Sequence, residues 1–166
     1  MEQPVFRIRT DEKRDQVCCL DPFALPALEC EKSLHTLDEL CAAMKDGTVR
    51  GAIATSFFAA FSLGVLTKRR MAPDYPAFLA SFKESCTALL QASPIPYAAL
   101  KRMILNQVLA VQNANPRTVN VSLDRLFSTA LDAQKTLAAQ NRKIAEHALE
   151  LLHANDTILI HPNSAA

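Results

Sequence analysis

Apolar residues in this chain recur mostly at spacings of three and four, the pattern of helices buried along one face. Leu37, Leu40, Cys41 and Met44 define a first helix opened by Thr36, and Gly47 punctuates its end. Thr36 and Glu39 stand at capping-box spacing, in which each side chain bonds the other residue's backbone N–H. The stretch from Arg50 to Lys68 is small at its start (Gly51, Ala52, Ala54) and aromatic after it (Phe57, Phe58, Phe61). Few polar residues interrupt it, which predicts the central and most buried helix. Ala77 to Gln91 follows, with Phe78, Leu79, Phe82, Cys86, Leu89 and Leu90 on one side. Ser93-Pro94-Ile95-Pro96 breaks the chain. Tyr97 to Gln112 is a fourth helix, with Leu100, Met103, Ile104, Val108 and Val111 facing inward.

Beyond the polar loop 113–118, a stripe of Leu123, Leu126, Phe127, Ala130, Leu131, Leu137, Ala138 and Ile144 predicts a long helix starting near Ser122. No Gly or Pro interrupts it through His153, so a single helix of about 30 residues is expected. In its last part, Asn141 to His153, the residues Ile144, Ala145, Ala148, Leu149 and Leu152 share a face. Asn155 and Asp156 break it, and Thr157 to Ile160 is a short β-branched run, the pattern of a buried strand. Residues 4–9 and Val17 to Leu20 read as short extended runs, and Asp21-Pro22 and Leu25-Pro26 force turns. The expected fold is mainly α. Residues 1–154 form a helical domain with an extended or small-β lead-in over 1–34, and residues 155–166 form the first strand of an α/β domain.

Composition narrows the function more than the fold. Hydrophobic residues make up 49% of the 166, enough for a real core. Lys plus Arg (18) nearly balance Asp plus Glu (17), so the basic footprint of a nucleic-acid or acidic-membrane binder is absent. No run approaches the roughly 20 apolar residues of a membrane span, and the charged start MEQPVFRIRTDEKRD has no apolar signal core. The five cysteines (Cys18, Cys19, Cys30, Cys41, Cys86) are odd in number and form no C-x-x-C pair, which fits a reduced cytoplasmic thiol set. Cys41 and Cys86 fall on apolar helix faces, as small core residues do. No two of His35, His147 and His153 stand at the spacing of a helical metal pair, and no Gly-rich phosphate loop is present. No metal or cofactor is expected.

Three stretches could carry chemistry. In Thr48-Val49-Arg50-Gly51-Ala52, an arginine and a glycine open the buried helix. Free N–H groups there favour anions, an arginine can clamp a phosphate, and glycine permits close approach. The competing reading is a surface arginine with a glycine for packing. The loop 113–120 holds Arg117, or is a helix connection punctuated by Pro116. His161-Pro162-Asn163 follows the terminal run, where α/β sites commonly lie.

These stretches carry a family resemblance. Asn141-Arg142-Lys143-Ile144-Ala145-Glu146-His147, then Asp156-Thr157-Ile158-Leu159-Ile160-His161-Pro162-Asn163, resembles the N-R-A-I-G-E-H and D-T-I-L-T-H-C-N segments of one family. It contains methylthioribose-1-phosphate isomerase, ribose-1,5-bisphosphate isomerase and the regulatory subunits of translation initiation factor 2B. Val49-Arg50-Gly51-Ala52 is similar to the family's V-R-G-A, with Ile53 replacing its proline. Pro116, Val119 and Asn120 are similar to R-P-T-A-V-N, with Asn115 at the arginine and Arg117 two places later. Leu20-Asp21 and Leu25-Pro26 resemble the early L-D-Q and L-P. The pieces follow the family's order through the front half of its protein. Where the family has an extra helical segment between its D-R, here Asp124-Arg125, and the later N-R, this chain has only a short uninterrupted helix pattern.

The resemblance implies a helical N-terminal domain whose terminal strand would begin a Rossmann-like domain. It implies substrate contacts from Arg50, Gly51, Ala52, Arg117 and Asn163, and aldose–ketose isomerisation of a phosphosugar in methionine salvage. The catalytic cysteine position is Pro162, which offers no acid, base or nucleophile, and the catalytic aspartate lies beyond the matched half. Two functions are therefore expected to compete. One is the N-terminal part of an isomerase, inactive alone. The other is a non-catalytic interaction or regulatory module with a protein partner or a second copy, its terminal strand an edge open to pairing.

Overall fold

The computed structural model describes residues 7–159. A three-stranded antiparallel sheet of order β1-β2-β3 leads the chain: β1 (Arg9–Thr10), β2 (Val17–Leu20) and β3 (Glu31–Leu34). Five helices follow: α1 (Leu37–Lys45), α2 (Ala52–Arg70), α3 (Tyr75–Ala92), α4 (Ala98–Gln112) and α5 (Val119–Leu149). The strand β3 reads EKSL, with no apolar run to announce it. Its outer residues alternate exposed and half-buried, as an edge strand tolerates, and charge holds it in register. Arg9 pairs with Glu31 at 2.5 Å across the sheet, and Lys32 pairs with Asp21 at 3.2 Å.

The helix α2 is the centre of the molecule. It is buried continuously from Ala54 to Thr67 and packs on α1, α3, α4, α5 and the first two strands. A helix apolar all round can only be satisfied from all sides, which explains why the others wrap it. Around it, α1, α3 and α5 are capped as their sequences demand. Thr36 and Glu39 form the reciprocal capping box, Asp74 accepts from Ala77 N–H at 2.8 Å, and Thr118 accepts from Val121 N–H at 3.3 Å.

Helix directions follow from three contacts. Ile53 and Phe57 share a cleft with Ala98 and Leu137, Gly64 faces Phe127, and the Tyr75 hydroxyl donates to the Val111 carbonyl at 3.4 Å. So α4 runs parallel to α2, and α5 runs antiparallel to both.

Several expectations change. The long helix is the single one expected, 31 residues from Val119 to Leu149, but it ends before His153. Its last face is not buried among the described residues: Ile144 is 53% exposed and Leu149 68%. Helix periodicity makes a face apolar, but only a neighbour buries it, and this part of α5 runs past the starts of α2 and α4. Leu79 and Leu131 are likewise exposed at the edges of their stripes. Residues 157–159 are exposed and in no strand. No other strand lies alongside them among the described residues, and a lone strand cannot satisfy its backbone groups. Ile160 and residues 4–6 lie outside the described residues.

Candidate functional site

The opening of α2 sits on the floor of a cleft of about 350 Å³ between the sheet and the helices. Arg50, Val49, Thr48 and Ala54 line it from the α2 side; Leu20 at the end of β2 and Pro22 and Leu25 of the turn region after it line it from the other. Asp46 fixes the approach by accepting from Thr48 N–H at 2.7 Å, and Val49 N–H donates to the Ala43 carbonyl at 2.9 Å. These bonds bury Thr48 and Val49 and deliver Arg50 to the surface.

Gly51 is the N-cap of α2, at φ 91° and ψ 146°. That backbone region is essentially closed to other residues. A Cβ there would meet nothing within 4 Å, so the glycine is required by conformation and not by close packing. Having no side chain, it gives the first N–H groups no cap, and the first turn holds no acidic residue. Lys68, Arg69 and Arg70 stand in the last turn, where cations complement the dipole. The helix therefore presents uncapped donors and a positive end beside the cleft.

Two arginines line the cleft. Arg7 is ion-paired with Glu29, whereas Arg50 is exposed and has no ion pair or hydrogen bond among the described residues. Lys32 lies close by, its Nζ 3.4 Å from the Thr48 hydroxyl, but it is engaged with Asp21. Arg50 is thus the arginine of the lining with no partner among the described residues. Cys19, also in the lining, is held neutral because burial pushes its thiol up to about 11. It offers no thiolate near neutral pH.

The structure groups Arg50, Gly51 and Ala52 at this helix opening and does not bring Arg117 to them. Arg117 is exposed in the loop before α5, at the other end of α2, a helix about 28 Å long by its rise per residue. Because α4 is parallel to α2, the loop beside the α2 opening is 93–97. Pro162 and Asn163 lie outside the described residues. The lining residues of the sheet region, Arg7 and Cys19 among them, are ones that motif reasoning passes over. The signal for that region was present in Leu20-Asp21 and Leu25-Pro26, whose Leu20 and Leu25 do reach the cleft.

Comparison with known proteins places this arrangement. The methylthioribose-1-phosphate isomerase of Parabacteroides distasonis is 31% identical over 159 residues, covering 95% of this chain and 47% of that protein. The same enzyme of Anaeromyxobacter sp. (strain K) is 30% identical over 166 residues, covering all of this chain and 44% of that one. The 5-deoxyribose 1-phosphate isomerase of Bacillus thuringiensis serovar kurstaki is 28% identical, with 47% of its length covered. The chain thus spans less than half the length of these relatives. Among solved structures, the fold is shared with translation initiation factor eIF-2B, subunit delta, from A. fulgidus. That match has a TM-score of 0.80 and 21% identity, covering 93% of this chain and 43% of that one. It is also shared with 5-methylthioribose 1-phosphate isomerase from Pyrococcus horikoshii, at TM-score 0.70 and 20% identity, covering 80% and 36%. Residues 48–166, from the threonine beneath the α2 opening to the last residue, match the Initiation factor 2 subunit family, and the chain belongs to that family.

Proposed function

We propose that this chain is the N-terminal part of a methylthioribose-1-phosphate isomerase-like protein, binding a phosphosugar at the α2 opening. The observation that carries the reading is an uncapped helix start at Gly51 directly following Arg50, which lines the cleft and is unpaired among the described residues. Backbone N–H groups would receive the phosphate oxygens, and the guanidinium would close on them bidentately. The sugar would extend over Val49 and Ala54 toward Leu20. Asn163, at a family asparagine position, would contribute from outside the described residues.

The 166 residues do not catalyse aldose–ketose isomerisation by themselves. That reaction moves a proton between neighbouring carbons and needs an acid–base group at the substrate. Pro162 stands where the resembled isomerases keep a cysteine, and Cys19 in the cleft is held as a neutral thiol. The purified chain should leave methylthioribose 1-phosphate unconverted above a buffer blank; conversion would overturn this part of the reading. The setting would be cytoplasmic and the process methionine salvage. No helix among the described residues is long and apolar enough to cross a membrane.

A second reading has its own observation. The end of α5 carries exposed Ile144, Leu149, Leu151 and Leu152. A partner subunit or second copy would cover them, as in a non-catalytic regulatory module of the initiation-factor type. Sedimentation at increasing concentration separates the readings, since a module should form a defined oligomer or complex and a strict monomer would count against it.

A further inference from the structure

A second cleft, of about 620 Å³, lies on the other side of the α2 opening, between α2, α4 and α5. It is within the size range of small-molecule sites, roughly 300–1,000 Å³. Its wall is apolar, from Ile53 and Phe57 of α2, Met103 of α4 and Leu137 of α5. Its polar lining comprises, besides Arg102, the exposed amides of Asn106 and Gln140 and two hydroxyls. Ser56 donates its hydroxyl to the Ile53 carbonyl at 2.7 Å and Thr136 to the Asp132 carbonyl at 2.8 Å, so both offer only lone pairs to the cleft. Arg102 lines it, is exposed, and has no ion pair or hydrogen bond among the described residues. No carboxylate is among the lining residues. The start of α4, whose N-cap Tyr97 makes no side-chain cap bond, points its positive end the same way.

From this we infer that the α2–α4–α5 cleft binds a small organic oxyanion, a carboxylate or a phosphate, carried on a flat apolar body. Arg102 takes the head group, Phe57, Met103 and Leu137 take the body, and the α4 start adds to the field. The site is separate from the one at Arg50 and does not depend on the reading of that one.

The test is a titration of the whole chain with 1-naphthoate, with 1-naphthyl phosphate and with inorganic phosphate, followed by backbone amide shifts. Saturable shifts at Ala98–Asn106 and Ala133–Gln140 are expected with either naphthyl compound, the tighter one identifying the head group. Inorganic phosphate alone should not saturate there. Arg102→Gln, at an exposed position that leaves the amide spectrum otherwise intact, should weaken binding about tenfold, the loss of one charged hydrogen-bond partner. Binding indifferent to Arg102→Gln, shifts confined to the exposed residues 144–152, or equal saturation by inorganic phosphate would each overturn the inference.

Discussion

Gly64 of α2 faces the ring of Phe127 of α5 so closely that a Cβ on the glycine would stand 2.7 Å from the ring's Cε1. This is where the central helix and the long helix touch, and both residues are buried. Gly64→Ala gains helix propensity but forces the ring into neighbours that are themselves packed. The net expectation is a loss of about 1–3 kcal/mol, read from urea unfolding. A gain would mean that the ring has somewhere to move. Gly64→Ala combined with Phe127→Leu should recover part of the loss, since the clash is with the ring.

The capping box gives a prediction with a pH sign. Backbone N–H bonds from His35 and Thr36 to the Glu39 carboxylate hold its pKa below the ordinary 4.5. A lowered folded-state pKa contributes stability above the unfolded value, and that stability is lost as pH falls through the folded one. The advantage of the native chain over Glu39→Gln should therefore be constant near neutrality and shrink below pH 4.5. Thr36→Ala should cost about 1 kcal/mol at neutral pH.

Gln107 is fully buried on α4, and neither its amide nitrogen nor its amide oxygen has a hydrogen-bond partner among the described residues. An unpaired buried amide costs roughly 1–3 kcal/mol. Gln107→Met keeps the length and removes the polar atoms, so it should raise stability by about 1 kcal/mol or more in thermal unfolding. A destabilised variant would show that the amide is satisfied in solution.

Thiol chemistry should separate the cysteines. Burial pushes Cys86 up to about 12 and Cys19 up to about 11, and raises Cys41 as well. Iodoacetamide at pH 8 should therefore label Cys30, which is partly exposed, well before Cys19 or Cys86, as read by peptide mass mapping. Rapid labelling of Cys86 in the folded chain would contradict the packing of α3.

The five helices were legible because each has an uninterrupted apolar period, and the first also because Thr36 and Glu39 announce its capping box. The buried character of α2 was legible for the same reason. Strand β3 was not, since an edge strand made of Glu31, Lys32, Ser33 and Leu34 is held by cross-strand pairing and charge, which a one-dimensional pattern does not record. The N-cap role of Gly51 was legible because a positive-φ glycine at a helix start leaves a mark in sequence. That Arg117 stands at the other end of α2 was not legible, because a loop's position along the chain says nothing about which end of the bundle it occupies. That is set by the parallel packing of α4 on α2. The face at the end of α5 was correctly seen as apolar but is not buried, as no element among the described residues covers it.

The central claim is that the α2 opening holds a phosphosugar through Arg50. The most direct measurement is calorimetric titration of methylthioribose 1-phosphate into the chain, into Arg50→Ala and into Arg117→Ala. The account predicts saturable binding to the native chain, at least about tenfold weaker binding to Arg50→Ala, and no change for Arg117→Ala, which lies at the other end of α2. Absence of saturable binding, or a loss on Arg117→Ala equal to that on Arg50→Ala, would contradict it.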